Sequence, residues 1–145
     1  MNENIEMIEY IYKSSEMGVI SCTKLLNELN NKENRIKKLI SEELKKYENY
    51  LKETEKIIKK SKYEIKKASI MAKIGTDIGI VKEVLMDNSD SRISNMLIQG
   101  FTMGITDIKS KISKYRKIVD KKVLKLALSY LKFQEEEVKK LSKYL

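Results

Sequence analysis

Glu42-Glu43-Leu44-Lys45-Lys46 recurs late in the chain as Glu136-Glu137-Val138-Lys139-Lys140. Each copy lies inside a long stretch where apolar residues return every three or four positions, the period of a helix with one buried face. Around the first copy the seam reads Ile36, Ile40, Leu44, Tyr47, Leu51, Thr54 and Ile58. Around the second it reads Leu124, Ala127, Leu131, Gln134, Val138, Leu141 and Leu145. The spacing predicts a second helix from about Glu33 past Ile58 to Lys62, and a fourth that starts at an Asp120 N-cap. Glu43 flanks its seam between Ile40 and Tyr47, so it either reaches the interior or lies at its boundary.

Two more helical patterns surround these. Ile5, Ile8, Tyr12, Ser15, Val19, Cys22, Leu26 and Leu29 form a seam that predicts a first helix from about Glu3 to Leu29, widened by Ile11, Gly18 and Leu25. Cys22 on that seam reads as a small buried apolar residue rather than a reactive thiol. Asn27, Asn30, Asn31 and Asn34 mark the following turn. Leu97, Phe101, Gly104, Ile108, Ile112, Tyr115 and Val119 predict a third helix from about Arg92 to Val119. Residues 63–90 read either as a shorter helix or as a crossover, broken at Asp87-Asn88-Ser89-Asp90-Ser91, where Asp90 or Ser91 would cap the next helix. All five glycines fall inside apolar helical patterns. Glycine costs about 1 kcal/mol against Ala in a helix interior, so close packing, or room for a ligand, is the expected offset.

Composition agrees with an all-α fold. The 145 residues suffice for one domain, 1–145, with a real core. Pro and Trp are absent, and a sandwich or barrel would need turn residues every few positions. The net charge is +9, carried almost wholly by Lys, with Arg only at 35, 92 and 116. Lys is a hydrated point charge rather than a bidentate reader of phosphate and bases, so the charge is weak evidence for nucleic acid. A single cysteine excludes an intrachain disulfide and fits a reducing cytoplasm. The start, Met1-Asn2-Glu3-Asn4-Ile5-Glu6, has no basic or apolar signal region, and no stretch approaches a membrane span. A soluble cytoplasmic protein is expected. The absence of His excludes Ser-His-Asp and Cys-His catalysis, and with one Cys it excludes the usual structural zinc sites. There is no phosphate-binding glycine loop. The tyrosines read as seam packing rather than radical chemistry.

A helix pair, a long connection and a second helix pair resemble the ferritin-like superfamily. Ile93-Ser94-Asn95-Met96-Leu97-Ile98-Gln99-Gly100-Phe101-Thr102-Met103-Gly104-Ile105 is similar to a segment of small uncharacterised ferritin-like proteins of Gram-positive bacteria. The resemblance implies a four-helix bundle with a long, partly helical crossover between helices two and three. It also implies a dimetal site built from one Glu on each of helices one and three and a Glu-x-x-His on each of helices two and four. Glu43 and Glu137 match the Glu of that motif, and Lys46 and Lys140 stand where His should be. Glu16 and Asp107 are the loose candidates for the other two carboxylates. A charged ammonium has no lone pair and cannot ligate a metal. No metal or cofactor is therefore expected, and the lysines would occupy the cation's place. The same residues also read as ordinary i,i+4 pairs, Glu42 with Lys46 and Glu136 with Lys140, on a solvated face. That is the simpler expectation. A working carboxylate-only site would suit a hard cation better than a redox-active iron pair.

The ferritin-like topology implies that helices two and three run parallel. Lys56, Lys59, Lys60, Lys62, Lys66 and Lys67 would then share one end with Lys109, Lys111, Lys114, Arg116, Lys117, Lys121, Lys122 and Lys125. Such an end suits solubility first, and an anionic partner second, with Tyr63 and Tyr115 nearby for stacking. The leading expectation is a non-catalytic structural or interaction module, homodimeric through glycine-lined faces. The alternatives are a metal-binding or oxidase-type bundle using Glu16, Glu43, Asp107 and Glu137, and a basic helical module for nucleic acid or an anionic surface. A fourth is an apolar ligand beside Gly100 and Gly104.

Overall fold

The seams fold as helices, and their buried residues converge on one core. A computed structural model describes residues 2–61 and 87–145. Over these residues the chain forms α1 (Asn2–Glu28), α2 (Lys37–Ser61), α3 (Asp90–Tyr115), α4 (Lys121–Leu141) and a terminal 3-10 turn, Ser142–Tyr144. No strand occurs among the described residues. The expected shorter helix or crossover at 63–90 lies outside them, apart from 87–90. Among the described residues no helix is long and apolar enough to cross a membrane.

The helix ends follow side-chain chemistry. Ser89, rather than Asp90 or Ser91, caps α3: its hydroxyl accepts from the Arg92 backbone N–H at 3.2 Å. Asp90 is used across the fold instead, accepting from Asn34 Nδ2 at 2.9 Å and from the Arg35 backbone N–H at 3.2 Å. Asp120 is the N-cap residue of α4, as the sequence predicts, but its side chain makes no capping hydrogen bond. Its backbone N–H donates to Asn4 Oδ1 at 2.8 Å and ties the start of α4 to the start of α1. The third helix stops at Tyr115, short of Val119, and α2 starts at Lys37, later than Glu33.

These contacts also fix direction. Asn34 to Asp90 places the start of α3 beside the start of α2, so the two run the same way. Tyr115 donates to Glu6 Oε2 at 2.6 Å, which sets the end of α3 beside the start of α1. Tyr50 and Ser129 hydroxyls bond at 2.6 Å, while Lys46 reaches Glu137, so α2 and α4 are antiparallel. The closest pairings are α1 with α2 and α3 with α4. The core joins Met7, Ile11 and Leu25 of α1 and Leu29 just after it to Ile36 and Ile40 before and within α2, Ile93 and Ile108 of α3, and Tyr130 and Leu141 of α4. At mid-height Tyr47 stacks on Phe101 at 5.9 Å and meets the edge of Phe133 at 5.1 Å.

The buried line of α4 is Val123, Leu126, Ala127, Tyr130, Phe133, Gln134, Glu137 and Leu141. The line of α2 runs Leu39, Ile40, Glu43, Tyr47 and Thr54. Leu44 and Val138, placed on the seams by the apolar pattern, are only half-buried, and Leu145 is exposed. The helix faces are rotated by one residue at these points, and the two glutamates take the central positions.

Candidate functional site: a buried carboxyl pair held by two lysines

Glu43 and Glu137 are both 0 % exposed. The solvated-face reading of the repeated motif therefore fails: Glu42 and Glu136 point to solvent, and the second glutamate of each motif points in. Lys46 of α2 crosses to α4 and donates to Glu137 Oε1 at 3.2 Å. Lys140, one turn along α4, places its ammonium 3.6 Å from the same oxygen. Both lysines keep partial contact with water, their side chains being 38 % and 41 % exposed. This is how a long side chain buries its stem and wets its head. The Lys46 ammonium also lies 5.7 Å above the Phe133 ring. Burial works against the charge on Lys46, but its hydrogen bond to Glu137 and that carboxylate's charge outweigh burial and raise its pKa.

Glu43 is in a different position. As a carboxylate it finds no hydrogen-bond donor at either oxygen. Burial, first, and then a hydrogen bond with Glu137 and that residue's charge push its pKa up to about 10. At neutral pH Glu43 is a carboxylic acid that donates to Glu137. The two carboxyl groups thus share a proton held on Glu43, beside two ammonium groups. Two like charges in one dry site cannot both ionise, and the shared proton is the usual resolution.

The surroundings are quiet chemically. Cys22 of α1 faces the pair; burial, and then the charges of Glu43 and Glu137, push its thiol far up, so it stays protonated and unreactive. The Tyr47 phenol is likewise driven up by burial. Gln134, next to the pair on α4, is buried with no donor to its Oε1.

Glu16 and Asp107 do not join the pair. Glu16 is half-buried on α1 and bonds with Tyr12, one turn away. Asp107 is exposed on α3, where its charge acts on Tyr10. Among the described residues no group of three or more His, Cys, Asp or Glu side chains is arranged to hold a metal ion. The carboxylates on helices two and four meet, and those assigned to one and three stay apart. Gln134 and the Tyr47 ring, which complete the site, gave no chemical signal in the sequence beyond their places on the seams.

The expected basic end is partly assembled. Lys56 and Lys60 of α2 and Lys122 and Lys125 of α4 line one cleft of about 440 Å³. Other cations are engaged elsewhere: Lys109 pairs with Glu135 at 3.7 Å and Lys111 with Glu6 at 3.4 Å. Tyr115 is buried and bonded to Glu6, so it offers no free face for stacking. Lys62, Tyr63, Lys66 and Lys67 lie outside the described residues.

Comparison with protein-family models, curated proteins and solved structures returned no match.

Proposed function

We propose that this protein is a ferritin-like four-helix bundle whose dimetal position holds lysine ammonium groups instead of metal, and that it acts as a non-catalytic structural or interaction module. The observation that carries the reading is the placement of Lys46 and Lys140 at 3.2 and 3.6 Å from one oxygen of a fully buried glutamate. The lysines that replace His in the motif supply the positive charge a metal would otherwise bring. The parallel run of α2 and α3 supports the ferritin-like topology. A homodimer belongs to the same proposal, motivated by exposed Met103 and by Gly100 on α3. Light scattering showing a strict monomer removes that part.

The test is elemental analysis of untagged protein purified without chelator and challenged with iron, manganese and zinc. The expected result is no retained metal. Near-stoichiometric metal that disappears in Glu43→Ala and Glu137→Ala would replace this reading with a carboxylate metal site of the binding or oxidase type.

A second reading has its own observation. Four lysines from two helices line one cleft, with the apolar stems of Ile57 and Leu126 beneath them. That arrangement suits an anionic surface or a polyanion such as nucleic acid. Retention on an anionic matrix that falls steeply with salt is the expected behaviour, and no retention at moderate salt would remove it.

A further inference from the structure

Between α1, α2 and α3, closed by Gln134 of α4, lies a cavity of about 160 Å³. Met17, Met96, Leu97 and the Phe101 ring form its apolar walls. Gln134 is 2 % exposed, and its Oε1 finds no donor among the described residues. The nitrogen end of that amide lies against Gly104 of α3, where a Cβ would collide with it. The oxygen is therefore the end left open, and a buried acceptor without a donor calls for a partner. The lining is otherwise uncharged. Glu43, at the same end, holds its proton and donates to Glu137. Cys22 and Tyr47 stay protonated. Lys46 and Lys140 gather at Glu137 Oε1 and are not part of the lining.

We infer that this cavity binds a small neutral aromatic alcohol of phenol size, its hydroxyl donating to Gln134 Oε1 and its ring lying against Met17, Met96, Leu97 and Phe101. The open acceptor selects a donor: a hydroxyl supplies the one hydrogen bond that the Gln134 oxygen lacks. The uncharged lining selects neutrality. A charged ligand would lose its hydration here without an opposite charge at the wall to replace it. Size and wall chemistry select the ring. A cavity of about 150 Å³ accepts a benzene ring, and thioether and aromatic side chains pack well against one. A few convergent polar groups at one end of an apolar cavity are the usual build of a small-molecule site. The neutral lining requires the metal-free state of the carboxyl pair, and so rests on the reading above.

Phenol and toluene have nearly the same shape and differ in the hydroxyl, so they serve as the probes. Each is titrated into the whole 145-residue chain carrying 13C-methyl methionine, and binding is followed by NMR. Metal content is measured on the same sample. Phenol should shift the Met17 and Met96 methyl signals and leave Met103, which is exposed and outside the lining, in place. Gln134→Leu removes the acceptor. It should weaken phenol by roughly tenfold or more while toluene binds about as in the parent, which also shows that the variant is folded. Gln134→Met gives the same comparison with a different side chain, should the leucine variant not fold. Benzoate and benzylamine, which bring a charge, should bind at least about tenfold more weakly than phenol. Phenol binding undiminished in the Gln134 variants, a charged probe that binds as tightly as phenol, shifts confined to Met103, or no binding of phenol at millimolar concentration would each overturn the inference. Retained metal would instead overturn the preceding reading, so the two failures are separable.

Discussion

Glu43 is an acid whose folded pKa stands well above its ordinary value, about 10 against 4.5. Between those values the folded protein binds a proton that the unfolded chain has released. The stabilisation linked to that proton is complete below the unfolded value and is lost as pH rises through the folded one. Glu43→Gln keeps the shape and can donate to Glu137 without a proton to lose. The stability difference in favour of the Gln variant should therefore widen from about pH 5 to about pH 9, by up to about 1.4 kcal/mol per pH unit. Urea denaturation of both proteins across that range measures it, and a constant difference would mean that Glu43 is ionised in the folded state. The sequence exposes this pair through its repeat, but misplaces it by one residue. Apolar periodicity follows Leu44 and Val138, whereas the fold turns Glu43 and Glu137 inward. A polar residue whose burial depends on a partner from another helix leaves no trace in a hydrophobic period. The lysines that make burial tolerable stand three residues on, in the motif itself.

At the scale of helices, the glycines separate into different roles that the sequence does not distinguish. A Cβ at Gly18 of α1 would collide with the ring of Tyr47, which is itself fixed between Phe101 and Phe133. A Cβ at Gly100 of α3 meets nothing among the described residues. The same change should therefore have opposite signs. Gly100→Ala should stabilise by up to about 1 kcal/mol through helix propensity. Gly18→Ala should destabilise by about 1–3 kcal/mol, because overpacking against a buried ring exceeds the propensity gain. Denaturant midpoints at constant slope read both, and a stabilised Gly18→Ala would show that α1 can shift away from α2. The cap of α3 gives a third value. Ser89→Ala removes the acceptor for the Arg92 N–H and should cost about 1 kcal/mol. The four described helices were legible because their seams are long, and so were the bounds of α1 and the Asp120 start of α4, while the start of α2 and the cap and end of α3 were not. Asp90, which looks like a cap, is drawn to Asn34 and Arg35 of the neighbouring turn, and only tertiary structure reveals that competition.

The whole molecule carries a net charge of +9, and what matters for partners is where that charge remains available. The topology implied by the resemblance gives an expected basic end, but cross-helix pairs remove Lys109 and Lys111 from it by engaging Glu135 and Glu6. Lys56, Lys60, Lys122 and Lys125 stay together because α2 ends where α4 begins, so two antiparallel helices lend lysines to one cleft. Such a cleft acts on a polyanion by releasing its counterions, and the number of lysines engaged is read from the salt dependence of affinity. For a single-stranded oligonucleotide used as a polyphosphate probe, each contact adds about 0.7 to the slope of log affinity against log salt. Lys122→Ala combined with Lys125→Ala should therefore lower the slope by about 1.4, with little effect on stability because both side chains are exposed. Fluorescence anisotropy over a salt series measures the slope. A double variant with the parent's slope would place polyanion binding on the dispersed surface lysines, and the cleft would then serve solubility alone.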